Sequence, residues 1–257
     1  MWMVLRFIHQ LWIWLIYLPL VLITMLIAAS LTILLVPLIG ASRAGRLTAL
    51  PWARMVTQLL PARVELSGHW PLDEHCSYVV VANHQSQFDI PVLFGWLGLD
   101  LRWVMKREVM RIPGLGYGAK TLGHIPIDRR RGSEAREQIR QAVSGLSDGI
   151  GLMFFPEGTR SRDGRLLPFK SGAFHIAVEQ QLPLLPITII GSREIMAPGS
   201  LMIRPGTIRV VVHPPISTTG MDETAVSQLK EQVRQWMAGQ LAGATADTPV
   251  SDLASSS

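Results

Sequence analysis

The sequence predicts an α/β protein, a mixed sheet flanked by helices, carried behind an N-terminal helical segment embedded in a membrane. Three observations lead there. Residues 7 to 41 are far more apolar than the rest of the chain; short β-branched runs then alternate with helical patterns; and the final stretch, ATADTPVSDLASSS, lacks the apolar content to order itself. The expected organisation is an anchor over 1–42, a single folded domain over 43–243 and a disordered tail over 244–257. A domain of that length buries a well-formed core.

From Leu11 to Gly40 there is no Asp, Glu, Lys, Arg or His. At about 1.5 Å per residue, those positions in one helix exceed a hydrocarbon core of about 30 Å, so the segment must tilt, kink near Pro19 or fold back as a hairpin. It is too long for the apolar core of a secretory signal, about 7 to 15 residues, and reads as retained. A buried soluble helix is the competing reading. Arg6 precedes the segment while Arg43, Arg46 and Arg54 follow it. This bias places the large domain on the cytoplasmic side of an inner membrane. Trp2, Trp12, Trp14 and Trp52 flank the segment, where indole rings suit the headgroup layer.

Cys76 is the only cysteine, so neither an intrachain disulfide nor a thiolate zinc cage can form, in keeping with a reducing compartment. Next to His75 it reads as a structural residue in a strand. The net charge of +5 and pI near 9.9 suit anionic headgroups or phosphorylated substrates. With an apolar segment attached, membrane lipid is a better partner than nucleic acid.

After that segment, Leu47, Leu50, Met55, Leu59 and Leu60 recur at helical spacing, and Pro51 suits a first turn, which gives an amphipathic helix over 51–60. Strands are expected near 63–67, 77–82, 101–105, 124–128, 151–155, 184–190 and 207–213. Ala135, Ile139, Val143 and Leu146 mark one face of a helix that Ser133 would cap; Phe174 to Val178 mark another, and the last helix covers about 222–242. There is no internal repeat.

The chemistry concentrates in a few stretches. In VVVANHQSQFDIP, residues 79 to 91, His84 and Asp89 stand five apart, about 140° from one another on a regular helix, and so cannot meet in mid-helix. SYVVVA reads as a strand and Asp89 with Pro91 as the opening of a helix. Such a corner lets the carboxylate accept from one imidazole nitrogen and leaves the other to face a substrate hydroxyl. The spacing alone equally allows Asp89 to cap the helix with His84 as a polar loop residue. A metal site is poorly supported, because His84, His124, His175 and His213 stand in no ligand spacing such as H-E-x-x-H. No G-x-S-x-G nucleophile elbow occurs.

GLMFFPEGTRSRDGRLLPFKSGAF, 151 to 174, is a buried-strand run followed by a polar loop with Glu157, Arg160, Arg162 and Lys170. Arginine forks match phosphate oxygens, and Gly158 lets backbone donors approach an anion, so the loop suits a phosphate monoester. Glu157 fits there only by binding a hydroxyl or orienting an arginine. A solvated loop with ordinary surface charges is the plainer alternative. GHIPIDRRRGS ends a strand in three arginines, and RWVMKRE puts Lys106 at a strand end, where open α/β sheets bind ligands.

In order along the chain, NHQSQFD at 83–89, GHIPIDR at 123–129, FPEGTRS at 155–161 and LPI at 185–187 resemble the four sequence blocks of the glycerolipid acyltransferases, most closely those that act on lysophosphatidic acid. The resemblance covers roughly residues 60 to 215. It implies transfer of a fatty acyl group from an acyl-CoA or acyl-carrier-protein thioester to the free 2-hydroxyl of lysophosphatidic acid, with the thioester as substrate and no cofactor. By similarity His84 is the general base and Asp89 its orienter. Glu157, Gly158, Thr159 and Arg160 fall on the acceptor-binding block, Arg129 on the second basic block, and Lys106 on a lysine near the phosphate. The second block departs from the pattern: Pro126 stands where an aromatic residue is usual, with Asp128 before Arg129. Another lysolipid acceptor, such as a lyso-ornithine lipid, or a non-catalytic lipid-binding adaptor, are the alternatives.

Overall fold

The computed structural model describes residues 2–70, 72–128, 132–143 and 149–246. Arg129 lies outside the described residues, as does most of the expected tail. Seven strands form one sheet among them: β1 (Ala62–Gly68), β2 (Tyr78–Ala82), β3 (Asp100–Lys106), β4 (Ile125–Ile127), β5 (Ile150–Phe154), β6 (Leu184–Ile190) and β7 (Gly206–Val212). Their order is β1-β7-β6-β2-β5-β3-β4, parallel throughout except for the antiparallel β6–β7 pair. The sheet is therefore mixed, and each expected strand matches one of these to within a residue or two.

The central strands β2 and β5 are buried along their whole length, which explains why they read as unbroken apolar runs. Alternate residues still serve opposite layers. Val80 joins Leu101, Met153 and Ile187 on one face, packed under α4 (Ala49–Gln58) and α5 (Asp89–Trp96); Val79 and Val81 join Phe174, Ile176 and Val233 on the other, under α8 (Gly172–Glu179) and α10 (Val226–Ala246). The remaining helices are α6 (Leu115–Thr121), α7 (Gly132–Val143) and the single turn α9 (Ser192–Ile195). Pro126 sits in the middle of β4, tolerable because β4 is an edge strand and no further ladder needs its missing N–H.

Some local expectations are corrected. Cys76 lies in a turn before β2, not in the strand, because the Asp73 carboxylate accepts the His75 N–H at 2.9 Å and folds the chain back. α7 begins at Gly132, which puts Ser133 inside the helix instead of ahead of it. α10 continues to Ala246, past the expected boundary at 243.

The apolar N-terminus is neither a hairpin nor sharply broken. Helix α1 (Trp2–Trp12) runs through one π-helical turn, Ile13–Tyr17, into α2 (Leu18–Ile39). That wide turn ends just before Pro19: the Leu18 N–H reaches back to the Ile13 carbonyl, which loosens the coil where the proline ring would crowd the preceding turn. The helix is docked along the domain. Tyr17 donates its hydroxyl to the Val56 carbonyl at 2.9 Å; Thr32 and Thr48 hydroxyls meet at 2.6 Å; α3 (Ala41–Leu47) then turns the chain into α4. Gly118 lets α6 cross close to α2, since a Cβ there would stand 3.1 Å from that of Ala29. Phe7–Ile39 is 33 residues long and apolar enough to cross a membrane, with 11% of its most apolar stretch buried.

Candidate active site

The corner that follows β2 is held by its own backbone. Asn83 acts as a false strand residue: its side-chain amide donates to the Ile189 carbonyl at 2.9 Å while its oxygen accepts the Ile189 N–H at 2.7 Å, which pins the turn to β6. His84 is then gripped from the 155–161 turn. Its N–H goes to Glu157 Oε1 at 2.7 Å and its carbonyl accepts from Ser161 at 2.9 Å. The sequence motif flagged Asn83 and Ser161 only as parts of blocks; that both serve the backbone has no signature in spacing.

Asp89 is the first residue of α5, fully buried, and Pro91 occupies the first turn as expected. The carboxylate does not cap that helix. Its Oδ2 accepts from the loop N–H groups of Gln85 at 2.7 Å and Ser86 at 2.8 Å, and stands 2.8 Å from His84 Nδ1. Facing an oxygen that can only accept, Nδ1 must carry the proton, which leaves Nε2 as the free acceptor. On its flat side the imidazole lies against Phe155, ring centroids 3.8 Å apart and planes 8° from parallel. Phe155, unremarked in the sequence apart from its block, thus fixes the plane in which Nε2 points.

Glu157 is 5% exposed, and both of its oxygens are engaged, Oε1 by His84 and Oε2 by the Leu167 N–H at 2.8 Å. Burial pushes its carboxyl up to about 7 against the pull of those two amides. Both bonds tie Glu157 to the 155–167 backbone and to His84, and its side chain does not line the cavity. Gly158 has φ +73, and a Cβ there would collide with the end of the Lys170 side chain, 3.0 Å from its Nζ. Thr159 is exposed at the rim. Arg160 is half-buried, and its Nη1 is enclosed with no hydrogen-bond partner, a cationic donor left open. Lys106, at the end of β3, reaches the same rim but shares its charge with Glu108 at 3.1 Å.

These groups stand around one cavity of about 690 Å³. His84, Gln87, Lys106, Thr159 and Arg160 form its polar part; apart from Thr32 and one histidine the rest is apolar, walled by Met25 and Ala28 of α2, Trp52 of α4, Phe94 of α5, and Gly118 and Leu122 of α6. One histidine interrupts that wall. His124 Nδ1 accepts the Trp103 N–H at 3.2 Å, and enclosure away from water, helped by the Arg102 charge, pushes its pKa down to about 3. His124 is therefore a neutral wall residue.

A histidine–aspartate corner beside an apolar cavity agrees with what the chain resembles. The family model described as Acyltransferase matches residues 63–190. A 1-acyl-sn-glycerol-3-phosphate acyltransferase of Limnanthes alba is 32% identical over 212 residues, covering 73% of this chain and 74% of that one. The alpha enzyme of that name from Homo sapiens is 34% identical over 185 residues, 71% of this chain and 65% of its own. The chloroplastic enzyme of Brassica napus is 39% identical over 145 residues, 56% of this chain, and the match spans only 41% of its length. The crystal structure of the 1-acyl-sn-glycerophosphate acyltransferase from Thermotoga maritima superposes with a TM-score of 0.76 at 25% identity, covering 95% of this chain and 99% of that one. By sequence and by fold, this chain belongs to the acyltransferase family that includes the 1-acyl-sn-glycerol-3-phosphate acyltransferases.

Proposed function

We propose that the protein transfers a fatty acyl group from an acyl-CoA or acyl-carrier-protein thioester to the 2-hydroxyl of lysophosphatidic acid, giving phosphatidic acid. The observation that carries this is the His84–Asp89 pair, Nδ1 set 2.8 Å from the carboxylate, with His84 lining the cavity where a basic rim meets an apolar wall. An alcohol must lose its proton to attack a thioester, and a positioned base supplies about 10² to 10⁴-fold in rate. His84 Nε2 takes that proton while the oxygen bonds to the thioester carbon. The C–S bond then breaks, and the imidazolium returns the proton to the leaving sulfur. Asp89 keeps Nδ1 protonated and stabilises the transient positive ring.

Arg160 offers its unpartnered Nη1 to the phosphate, with Lys106 on the same cavity; Arg129 is assigned to the phosphate from its sequence block alone. The apolar part of the cavity takes an acyl chain. The helix from Phe7 to Ile39 moors the protein in the membrane, and the basic residues that follow it, Arg43, Arg46 and Arg54, suit the anionic cytoplasmic leaflet. Because its docking contacts run from His9 to Thr32, about 35 Å along a helix, it lies along one leaflet with the domain beside it.

The test is an acyl-transfer assay with radiolabelled acyl-CoA and acyl-carrier protein on wild type and His84→Ala. Wild type forms phosphatidic acid with at least one donor, and the variant loses it while still binding lipid. Absence of transfer with both donors, or full activity of the variant, rules the reading out. Greater turnover of a lyso-ornithine lipid would reassign the acceptor.

A further inference from the structure

Outside the site, the loop between α9 and β7 shows two apolar side chains that no element among the described residues covers. Leu201 is 54% exposed and Met202 50%, whereas their neighbour Ile203 is 1% exposed. The loop is built, not slack. Ser200 N–H closes a turn on the Ala197 carbonyl at 3.0 Å, the Ser200 hydroxyl accepts the Met202 N–H at 3.0 Å, and the Arg204 N–H returns to the Ile195 carbonyl at 2.9 Å. The pair is held outward while Ile203 anchors the loop in the core.

Two ties give this loop its setting. The Ile203 carbonyl accepts from Gln10 Nε2 at 2.8 Å and lies 3.3 Å from His9 Nε2, so the loop abuts α1. There, Phe7, Ile8 and Leu11 are exposed, as is Trp14 in the turn that follows. At its base, the Met196 carbonyl accepts from the Ser86 hydroxyl at 2.8 Å, inside the His84–Asp89 corner. Arg204 is exposed next to Met202. An apolar pair flanked by a cation, continuous with an exposed apolar helix, matches the headgroup-to-acyl boundary of a bilayer containing anionic lipid.

We propose that residues 200–204 form a second lipid-contact element, with Leu201 and Met202 entering the leaflet beside α1 and Arg204 meeting lipid phosphates. The proposal rests on the helix Phe7–Ile39 being embedded in that leaflet. Through Met196 and Ser86, the loop sets the height of the catalytic corner over the membrane.

The experiment uses the full chain with Cys76→Ser, carrying single cysteines in turn as Leu201→Cys, Met202→Cys, Phe7→Cys in the helix and Gln235→Cys on the far face. Each is labelled with an environment-sensitive fluorophore and bound to phosphatidylcholine–phosphatidylglycerol vesicles with or without brominated acyl chains. At 201 and 202 the emission shifts to the blue and brominated lipid quenches it at least twofold, as at position 7, while 235 stays solvent-like. Solvent-like emission at 201 and 202 overturns the proposal. So does a blue shift that brominated lipid fails to quench, which marks cover by protein. If position 7 is quenched in either case, only the loop is wrong; if it too is unquenched, the reading of the helix has failed as well.

Discussion

Asp89 Oδ2 gathers three donors onto one oxygen, two loop amides and the His84 ring. Asp89→Asn removes the negative charge beside the His84 ring and lets an NH2 group compete with the oxygen for the place that faces Nδ1. Acyl transfer should fall by about 10² to 10⁴-fold, because the tautomer is no longer fixed. Glu157→Gln makes the same error one shell further out: its NH2 faces a backbone N–H, at a cost of about 1–3 kcal/mol. A lowered melting temperature together with reduced kcat, at little change in acceptor KM, separates that positioning role from direct phosphate binding. His124 sets a pH dependence. Its folded pKa, about 3, lies below its unfolded value of 6.5, so the unfolded chain binds the extra proton first and stability is lost as pH falls through 6.5 toward 3. The slope is about 1.4 kcal/mol per pH unit for one proton. In urea melts at stepped pH, His124→Gln should be flatter than wild type over that window. At this scale the sequence was legible where a residue type is chemically committed, as with His84 and Asp89. It was opaque where a side chain serves a distant backbone, as Asn83 does for Ile189 across the sheet.

Among elements, the crossing of α2 over α6 shapes the cavity. Gly118 and Ala29 meet so closely that a side chain on Gly118 would have to push Ala29 aside by a few tenths of an ångström, and Ala28 nearby lines the apolar wall. Ala28→Phe should shorten the space and lower kcat/KM for the longest acyl chains by about tenfold or more, with shorter chains spared. Competing acyl-CoA donors of different length, assayed in one reaction, measure the shift; an unchanged profile means that the chain lies elsewhere. The strands were legible because β2 and β5 are buried on both faces and β7 on alternate residues, so their patterns are local. The N-terminal helix was harder. Composition marks it as apolar, yet its docking depends on isolated contacts, such as Tyr17 on Val56, that no periodicity reveals.

For the whole molecule, that helix belongs to the fold as much as to the membrane. Ile13 and Tyr17 are buried in the same core as Val56, Val92 and Leu185. Deleting residues 2–39 should therefore expose α4 and α6 and give an aggregating protein in detergent-free buffer, judged by light scattering. A monodisperse fragment with a cooperative melt would show that the anchor is dispensable. The wall that α2 contributes to the cavity has a last consequence. A helix is only about 10 Å across, so on the proposed reaction one helix thickness separates the bound chain from the surrounding leaflet. Traffic in and out is then two-dimensional. Turnover should follow the mole fraction of acceptor in the surface, and diluting the bilayer with inert lipid should slow the enzyme even when the bulk amount of acceptor stays the same.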